Sequence, residues 1–319
     1  MYYSDDAYAA MLLTMSLSPD REEYARPYTT KEFRALETKV RASKFGSLGG
    51  LLNADVSGLM IYLKIDEPQA VRLYSLLNRM IQLMYELDGF EARNIHAVTC
   101  FDEDYPRRVM NKLGPGAPVF FFRCGDGALL NRPAIAILGV QGVRTSGEAR
   151  RAVESLAAGA AGQGYAVITS GEPGISTVAA VEAARCGARL VEVPGGELGA
   201  RVAQADVGAR IQRSDMAVLS LNHPDAPFTF RYAADRSRLM FALSDAAFVF
   251  NTDGRRGEIE LLQGKVCDWV YAWSPRQENQ PLIARGAIPF DEVSDWDFQA
   301  LARRWSTSDS EQLSIFDMF

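Results

Sequence analysis

Three short segments in the middle of the chain carry residue types that could hold a phosphate group. Ala134–Gly139 is an apolar strand that ends on a glycine, and Ala166–Gly171 is a second one that leads through Gly174 into a helix. Glycine lets the backbone come close to a ligand, and the free N–H groups at a helix start attract anions. Arg236 and Arg238 stand just ahead of an apolar helix and could supply cationic donors. Together these segments predict an anion-binding site where parallel strands end.

The elements that must position these residues alternate between strands and helices from residue 93 to residue 290. Such alternation predicts an α/β fold with a parallel sheet covered by helices on both faces. Residues 1–92 carry only helical patterns, among them a capping box at Thr29–Glu32, and predict a small all-helical domain. Residues 291–319 are predicted to form a short helix, over 294–305, and a flexible polar tail. The predicted strands are Ala97–Thr99, Val119–Phe122, Ala134–Leu138, Ala166–Thr169, Arg189–Val193, Ala217–Ser220, Ala247–Phe250 and Val270–Trp273.

The composition argues against several classes of protein. The 319 residues carry a formal net charge of -6, which disfavours a protein that coats DNA through a general positive field. No apolar run approaches the roughly 20 residues of a membrane span, and the acidic N-terminus lacks the basic start of a signal peptide. Four widely spaced cysteines and only two histidines predict no metal site. We expect a cytoplasmic protein with reduced cysteines, no membrane partner and no cofactor.

Several short motifs follow one another in a fixed order over about half of the chain. They are D-x-x-Y-P within Phe101–Pro106, the strand-ending Gly139, S-G and G-I at Ser170–Gly171 and Gly174–Ile175, L-S-x-x-x-P with Ser220 and Pro224, followed by Phe228, R-x-R at Arg236–Arg238, the helix segment Ala242–Ala246, and a closing L-I-x-x-G-A within Pro281–Ala287. Their order resembles that of the DprA/Smf family of DNA-processing proteins, which belongs to a Rossmann-like superfamily that includes the LOG nucleotide hydrolases.

The resemblance implies a Rossmann-like domain over 93–290, a SAM or helix-hairpin-helix type of domain over 1–92, and a specific function. Members of the family bind single-stranded DNA and hand it to a RecA-type recombinase, as homodimers formed through the Rossmann domain. Arg236 and Arg238 are then expected to point toward Gly139 and Ser170, as surface groups whose replacement leaves the domain folded. The residues expected to contact DNA phosphates are Gly139, Arg144, Ser170, Gly171, Gly174, Arg236, Arg238, Gly254, Arg255 and Arg256.

Two departures from the family motifs indicate a remodelled pocket. Val140-Gln141 stands where the family has Ser-Arg, and Arg144 could replace that arginine only if the loop is longer. Ser176 stands where the family has aspartate. Because serine cannot act as the acid or base that a carboxylate provides, we expect a binding protein rather than an enzyme.

The late glycine-rich loop also differs from the family motif, and this difference likewise indicates a remodelled pocket. It keeps Gly254 and Gly257 but carries Arg255 and Arg256 in place of a hydroxyl residue. Glu258, directly after this loop, is the best candidate for an acid or base, although a glutamate is also typical of a helix N-terminus. The alternative function is therefore a sensor of a nucleotide-derived small molecule, or a LOG-like nucleotide hydrolase, in defence against phage.

The two histidines do not support a catalytic triad. His96 stands at the start of a strand, where a histidine is usually structural. His223 stands in a loop near the expected binding edge and is the better candidate for a ligand contact.

A second motif lies near the end of the sequence. Gln312-Leu313-Ser314-Ile315-Phe316 resembles the motif that binds the bacterial sliding clamp, with isoleucine at the fourth position. A flexible segment of this kind can place its leucine and phenylalanine in an apolar groove while its glutamine forms hydrogen bonds. The alternative is an apolar segment that folds back on its own domain.

The clamp motif can be tested by replacing its two apolar anchors. Leu313→Ala combined with Phe316→Ala should abolish binding to a bacterial sliding clamp, because these side chains fill the groove. A short peptide of this kind typically binds at micromolar affinity, about -8 kcal/mol. Calorimetric titration measures the binding, and the melting temperature should not change. A large loss of stability on deletion of residues 311–319 would instead show that the segment belongs to the protein's own core.

Overall fold

The structure is a computed structural model that describes residues 2–18, 25–140, 146–252, 257–267, 269–291 and 296–299. The chain divides into two compact units, and the first extends beyond the predicted boundary at residue 92. None of the helices formed by the described residues is both long enough and apolar enough to cross a membrane. The first unit comprises Met1–Gly125, Gly196–Gln204 and Leu219–Pro227, and the second comprises Asp126–Gly195, Ala205–Val218 and Phe228–Phe319.

Helices and strands alternate along the second half of the chain, as expected from the sequence. The helices are α1 (Asp5–Thr14), α2 (Thr30–Arg41), α3 (Val56–Leu63), α4 (Glu67–Leu77), α5 (Met80–Glu91), α6 (Arg107–Leu113), α7 (Gly147–Gly162), α8 (Ile175–Cys186), α9 (Leu198–Val202), α10 (Ala205–Gln212), α11 (Phe230–Leu243), α12 (Glu258–Gln263) and α13 (Gln280–Ile283). The strands are β1 (Ile95–Thr99), β2 (Phe120–Gly125), β3 (Ala134–Leu138), β4 (Ala166–Thr169), β5 (Leu190–Glu192), β6 (Met216–Ser220), β7 (Ala246–Val249), β8 (Trp269–Trp273) and β9 (Ile288–Phe290).

The N-terminal helices share one apolar core in the first unit. Its buried members include Leu13 of α1, Phe33 of α2, Leu59 of α3 and Leu73 of α4. The capping box predicted at the start of α2 is confirmed: the Thr29 hydroxyl accepts a hydrogen bond from the Glu32 N–H (3.3 Å), and Glu32 Oε2 accepts one from the Thr29 N–H (2.8 Å). Both exchanges satisfy N–H groups that the helix itself leaves free.

Strands β1 and β2, at the start of the segment for which a parallel sheet was expected, form an antiparallel pair. The D-x-x-Y-P motif follows β1 and stabilises the chain between β1 and β2 through hydrogen bonds. Asp102 Oδ2 accepts hydrogen bonds from the N–H and the hydroxyl of Thr99, at 2.7 Å and 2.9 Å. The Tyr105 hydroxyl donates to the Pro118 carbonyl at 2.7 Å. These bonds hold the chain as it leaves β1 and approaches β2.

The second unit contains a parallel sheet with the strand order β6-β5-β4-β3-β7-β8-β9. The chain moves outward from β3 through β4, β5 and β6, and then returns to add β7 on the other side of β3. Ligands of open α/β sheets bind at such a reversal, beyond the carboxyl ends of the strands. The expected α/β, Rossmann-like fold is confirmed, and β9 is a strand that the sequence did not predict.

Part of the segment predicted as a tail is buried in the second unit. Phe298 is fully buried, and its ring lies 5.3 Å from the Tyr165 ring between centroids. The Gln163 side-chain amide donates to the Trp296 carbonyl at 2.6 Å. The predicted helix over 294–305 falls mostly outside the described residues, as do Gln312–Phe316 and the clamp motif they form.

Phe298 should therefore contribute to the stability of the second unit. Phe298→Ala should lower the free energy of unfolding by about 3–5 kcal/mol, because it leaves a cavity among buried rings. Phe298→Leu retains most of the volume and should lower it by less. Urea unfolding of the three proteins measures both losses, and an alanine variant as stable as the wild type would contradict this assignment.

Candidate nucleic-acid interface

The carboxyl end of β3 is where the sheet approaches a helix most closely. A Cβ atom at Gly139 would lie 2.7 Å from Ile175 Cβ in the first turn of α8 and 2.8 Å from Asn251 Oδ1 after β7. Glycine is therefore required here, and it brings the ends of β3 and β7 next to the start of α8. The Phe250 N–H donates to the Leu138 carbonyl at 2.9 Å and extends the pairing of β3 with β7 to this point.

The turn from β4 into α8 depends on two glycines with positive φ. Gly171 has a φ of 69° and Gly174, the N-cap of α8, has a φ of 107°, values that other residues rarely adopt. The turn brings Ser170 back toward α8, where its hydroxyl lies 2.7 Å from the Ser176 hydroxyl. Ser176, which stands where the family has aspartate, is thus a buried partner of Ser170.

A buried ion pair joins this turn to α11. Arg236 Nη2 donates to Glu172 Oε2 at 3.1 Å, and the two side chains are 3% and 8% exposed. The same carboxylate oxygen lies 3.4 Å from the Ser170 hydroxyl, which donates to it. The cationic group expected to meet a phosphate is therefore already bound to a carboxylate of its own chain.

A second buried carboxylate follows β7. Glu258 is the first residue of α12, whose N-cap Gly257 has a φ of 75°, and its Oε2 accepts a hydrogen bond from the Thr252 hydroxyl at 3.1 Å. The interpretation of Glu258 as a helix N-terminal residue is confirmed. Glu260 is exposed while Glu258 is buried, so the two carboxylates do not share a face.

These elements enclose a small cleft of about 230 Å³ at the reversal between β3 and β7. Its lining combines apolar side chains with two hydroxyls, one guanidinium and one carboxylate. Among the described residues, the ionisable side chains of the lining are those of Arg236 and Glu258, and Glu172 pairs with Arg236. The lining residues are Leu138, Gly139, Val140, Ser170, Arg236, Ser237, Met240 and Glu258.

Arg236 and Arg238 do not act as a pair facing the cleft. Both lie within α11 rather than ahead of it, and Arg236 is buried while Arg238 is exposed. Two residues along a helix differ by about 200° in direction, so only one can face the sheet. Arg238 shares the outer face with Arg231 and Asp235, which are seven and three residues earlier.

The structure places some of the other predicted residues and leaves others outside the described chain. Gly139 and Ser170 line the cleft, and Gly171 and Gly174 shape the turn beside it. Arg144, Gly254, Arg255 and Arg256 lie outside the described residues. Their contacts with a ligand stay a prediction.

The histidines lie in the first unit. His223 is buried with its ring 5.2 Å from the Phe90 ring, and its Nδ1 accepts a hydrogen bond from the Asp225 N–H. Burial lowers the pKa of His223, and it also lowers the pKa of His96. Among the described residues no group of three or more histidines, cysteines and acidic residues could hold a metal ion.

Sequence reasoning missed Glu172, the carboxylate that pairs with Arg236. A signal was present, since Glu172 is an acidic residue inside a turn whose glycines were recognised as a ligand-binding motif. Its partner, however, is 64 residues away in the sequence, and no local pattern connects the two.

Comparison with known proteins assigns the class of protein that this fold and cleft define. The family model of DNA recombination-mediator protein A matches residues 96–263, just over half of the chain. The chain belongs to this family, and the resemblance drawn from the short motifs is confirmed. No curated protein matches the sequence.

Two solved structures share the fold. DNA processing protein A (DprA) from Streptococcus pneumoniae has a TM-score of 0.64 and 17% identity, over 92% of this chain and 97% of that chain. DNA processing protein A from Helicobacter pylori, described with a unique single-stranded DNA binding mode, has a TM-score of 0.50 and 18% identity, over 68% of this chain and 98% of that chain. At such low sequence identity, these two structures show only that the chain shares their fold.

The two arginines of α11 should differ in their effect on stability. Arg236→Ala removes the counter-ion of a buried carboxylate and should lower the free energy of unfolding by about 3–5 kcal/mol. Arg238→Ala should change it by no more than about 0.5 kcal/mol, because that side chain is exposed. Chemical denaturation of the two single variants measures the difference. Equal losses of stability in the two variants would contradict the burial of Arg236. The expectation that Arg236 is a surface arginine whose replacement leaves stability unchanged is wrong.

Proposed function

We propose that the protein binds single-stranded DNA and assists its transfer to a RecA-type recombinase without catalysing a reaction. Membership of the DNA recombination-mediator protein A family carries this proposal. The cleft at the reversal of a parallel sheet supports it, because this is where the fold offers backbone N–H groups and helix starts to a ligand.

The outer face of α11 and the turn beside it offer contacts that suit a single strand. Arg231 and Arg238 are exposed on one face of α11 and can contact successive phosphates. Phe228, 40% exposed, lies against Gly195, where a Cβ atom would come within 2.7 Å of the ring and 3.2 Å of Arg236 Nη1. Phe228 precedes Arg231 by three residues, and an exposed aromatic ring can stack a base of any sequence. We propose that DNA passes over this surface.

A second candidate function is the recognition or hydrolysis of a nucleotide. Glu258 favours it, because a buried carboxylate in the cleft could act as an acid or base. Ser176 argues against it, because it supplies no ionisable group where the family has aspartate. We therefore prefer the DNA-binding function.

DNA binding should depend on the exposed arginines of α11. Arg231→Ala with Arg238→Ala should weaken binding to oligo-dT and reduce the slope of log K against log salt by about 0.7 per lost phosphate contact. The matched control is Arg189→Ala with Arg213→Ala, which removes the same amount of charge. These two arginines lie near the starts of β5 and β6, where both form ion pairs with Asp215. Fluorescence anisotropy at several salt concentrations measures both slopes.

Two results would contradict the proposal. If the wild-type protein does not bind oligo-dT, DNA binding is excluded; if the control weakens binding as much as the α11 variant, the surface is wrong. Release of a free base from a nucleoside monophosphate, lost in Glu258→Gln, would support the hydrolase instead.

The partners of the DNA-bound protein are part of the same proposal. We propose a homodimer that contacts the recombinase and, through Gln312–Phe316, the sliding clamp. Family membership supports the recombinase, and the sequence motif supports the clamp.

A further inference from the structure

The Phe228 ring lies directly against the backbone of Gly195. A Cβ atom at Gly195 would be 2.7 Å from both Cδ2 and Cε2 of the ring, and 3.2 Å from Arg236 Nη1. Carbon atoms that are not bonded do not come this close, so a side chain here would have to displace a neighbour. The φ of Gly195 is outside the left-handed region, so its backbone conformation does not itself require glycine. The close approach of the ring and the guanidinium is what requires it.

These two neighbours of Gly195 differ in how easily they can move. The Arg236 guanidinium is buried and lies 3.1 Å from the Glu172 carboxylate, and moving it would break a buried ion pair. The Phe228 ring is partly exposed and can turn toward solvent. A side chain at position 195 would therefore displace the ring and leave the guanidinium in place. The absence of a side chain at Gly195 thus determines where the Phe228 ring lies.

The start of α11 holds the backbone of the same residue. Phe228 directly precedes Thr229, the N-cap of α11, whose hydroxyl accepts a hydrogen bond from the Tyr232 N–H at 3.2 Å. The cap fixes the path of the chain into the helix, and with it the position of Phe228 relative to Arg231 in the first turn. Because its backbone and its ring are both held, Phe228 has less conformational freedom to lose when a base stacks on it.

We propose that Gly195 is a positioning residue for base stacking, which lets the Phe228 ring lie against the backbone in the orientation that receives a base of single-stranded DNA. This inference rests on the proposed DNA-binding function. Stacking uses the face of a base and not its hydrogen-bonding edge, so the ring accepts any of the four bases. The fixed position of the ring relative to Arg231 and Arg238 sets which base stacks when these arginines contact phosphates.

A set of variants separates this role from a purely structural one. Gly195→Ala adds the Cβ atom that displaces the ring, Phe228→Ala removes the ring, and the double variant combines both changes. Phe228→Leu keeps an apolar side chain beside Gly195 but cannot stack. The matched control is Gly162→Ala in α7, because an added Cβ atom there meets no atom within 4 Å.

The probes are oligo-dT and an oligonucleotide of the same length in which every site is abasic. Both carry the same phosphates, so only the first can report stacking. Phe228→Ala, Phe228→Leu and Gly195→Ala should each bind oligo-dT about tenfold more weakly than the wild type, a loss of about 1.4 kcal/mol that is typical of one stacked base. Their affinity for the abasic strand, and the salt dependence of binding, should not change, because the phosphate contacts remain.

The double variant tests whether Gly195 acts through Phe228. It should bind oligo-dT no more weakly than Phe228→Ala, because a ring that is absent cannot be displaced. Gly162→Ala should bind both oligonucleotides as the wild type does. The melting temperature of Gly195→Ala should equal that of the wild type, because the displaced ring moves toward solvent. Fluorescence anisotropy measures the affinities, and differential scanning fluorimetry measures the melting temperatures.

Two results would overturn the inference and leave the proposed function standing. One is oligo-dT binding by Gly195→Ala equal to that of the wild type. The other is a fall in melting temperature with equal losses on both oligonucleotides in Gly195→Ala and Phe228→Ala, restored in Phe228→Leu, which would show that the ring only covers the buried ion pair. Failure of the wild type to bind oligo-dT would overturn the proposed function together with this inference.

Discussion

The close approach of Gly139 to α8 is the constraint on which the rest of the cleft depends. Neither Ile175 nor Asn251 leaves room for a side chain at this position, so the ends of β3 and β7 and the start of α8 must meet there. A close-packed interior cannot absorb an extra methyl group without moving its neighbours. The contact therefore sets where the turn after β4 lies, and with it the positions of Ser170 and Glu172.

The ion pair between Glu172 and Arg236 is the main electrostatic feature of the cleft. Burying two charges is costly unless they are paired and hydrogen-bonded, and here the pair joins the turn after β4 to α11. This gives Arg236 a structural role that a phosphate-binding arginine need not have. Arg231 and Arg238 are exposed on the outer face of the same helix, so the described arginines of α11 divide between a structural pair and the surface.

The packing of residues 296–299 is a contact that the sequence did not predict. The segment after residue 290 was expected to be a short helix and a flexible tail. Trp296 and Phe298 nevertheless pack on aromatic residues of the sheet, including Phe248 and Tyr271. Two large rings bury enough apolar surface to hold a short segment in place, whatever the polarity of its neighbours.

The sequence by itself determined the local features. The strands Ala134–Leu138 and Ala166–Thr169 were predicted with their observed bounds, because short apolar runs between glycines favour buried parallel strands. The capping box of α2 and the glycine turns were also predictable, because each depends on residues only a few positions apart. The order of the motifs also identified the family.

Only the tertiary structure decided which side chains meet. Arg236 and Arg238 look equivalent in the sequence, but a helix turns them in different directions, and the packing of α11 decides which of them is buried. Glu172 finds its partner 64 residues away, and β1 pairs with β2 in the antiparallel direction. These outcomes depend on how distant elements pack together. A periodic pattern specifies which face of an element is apolar, but it does not specify what that face will contact.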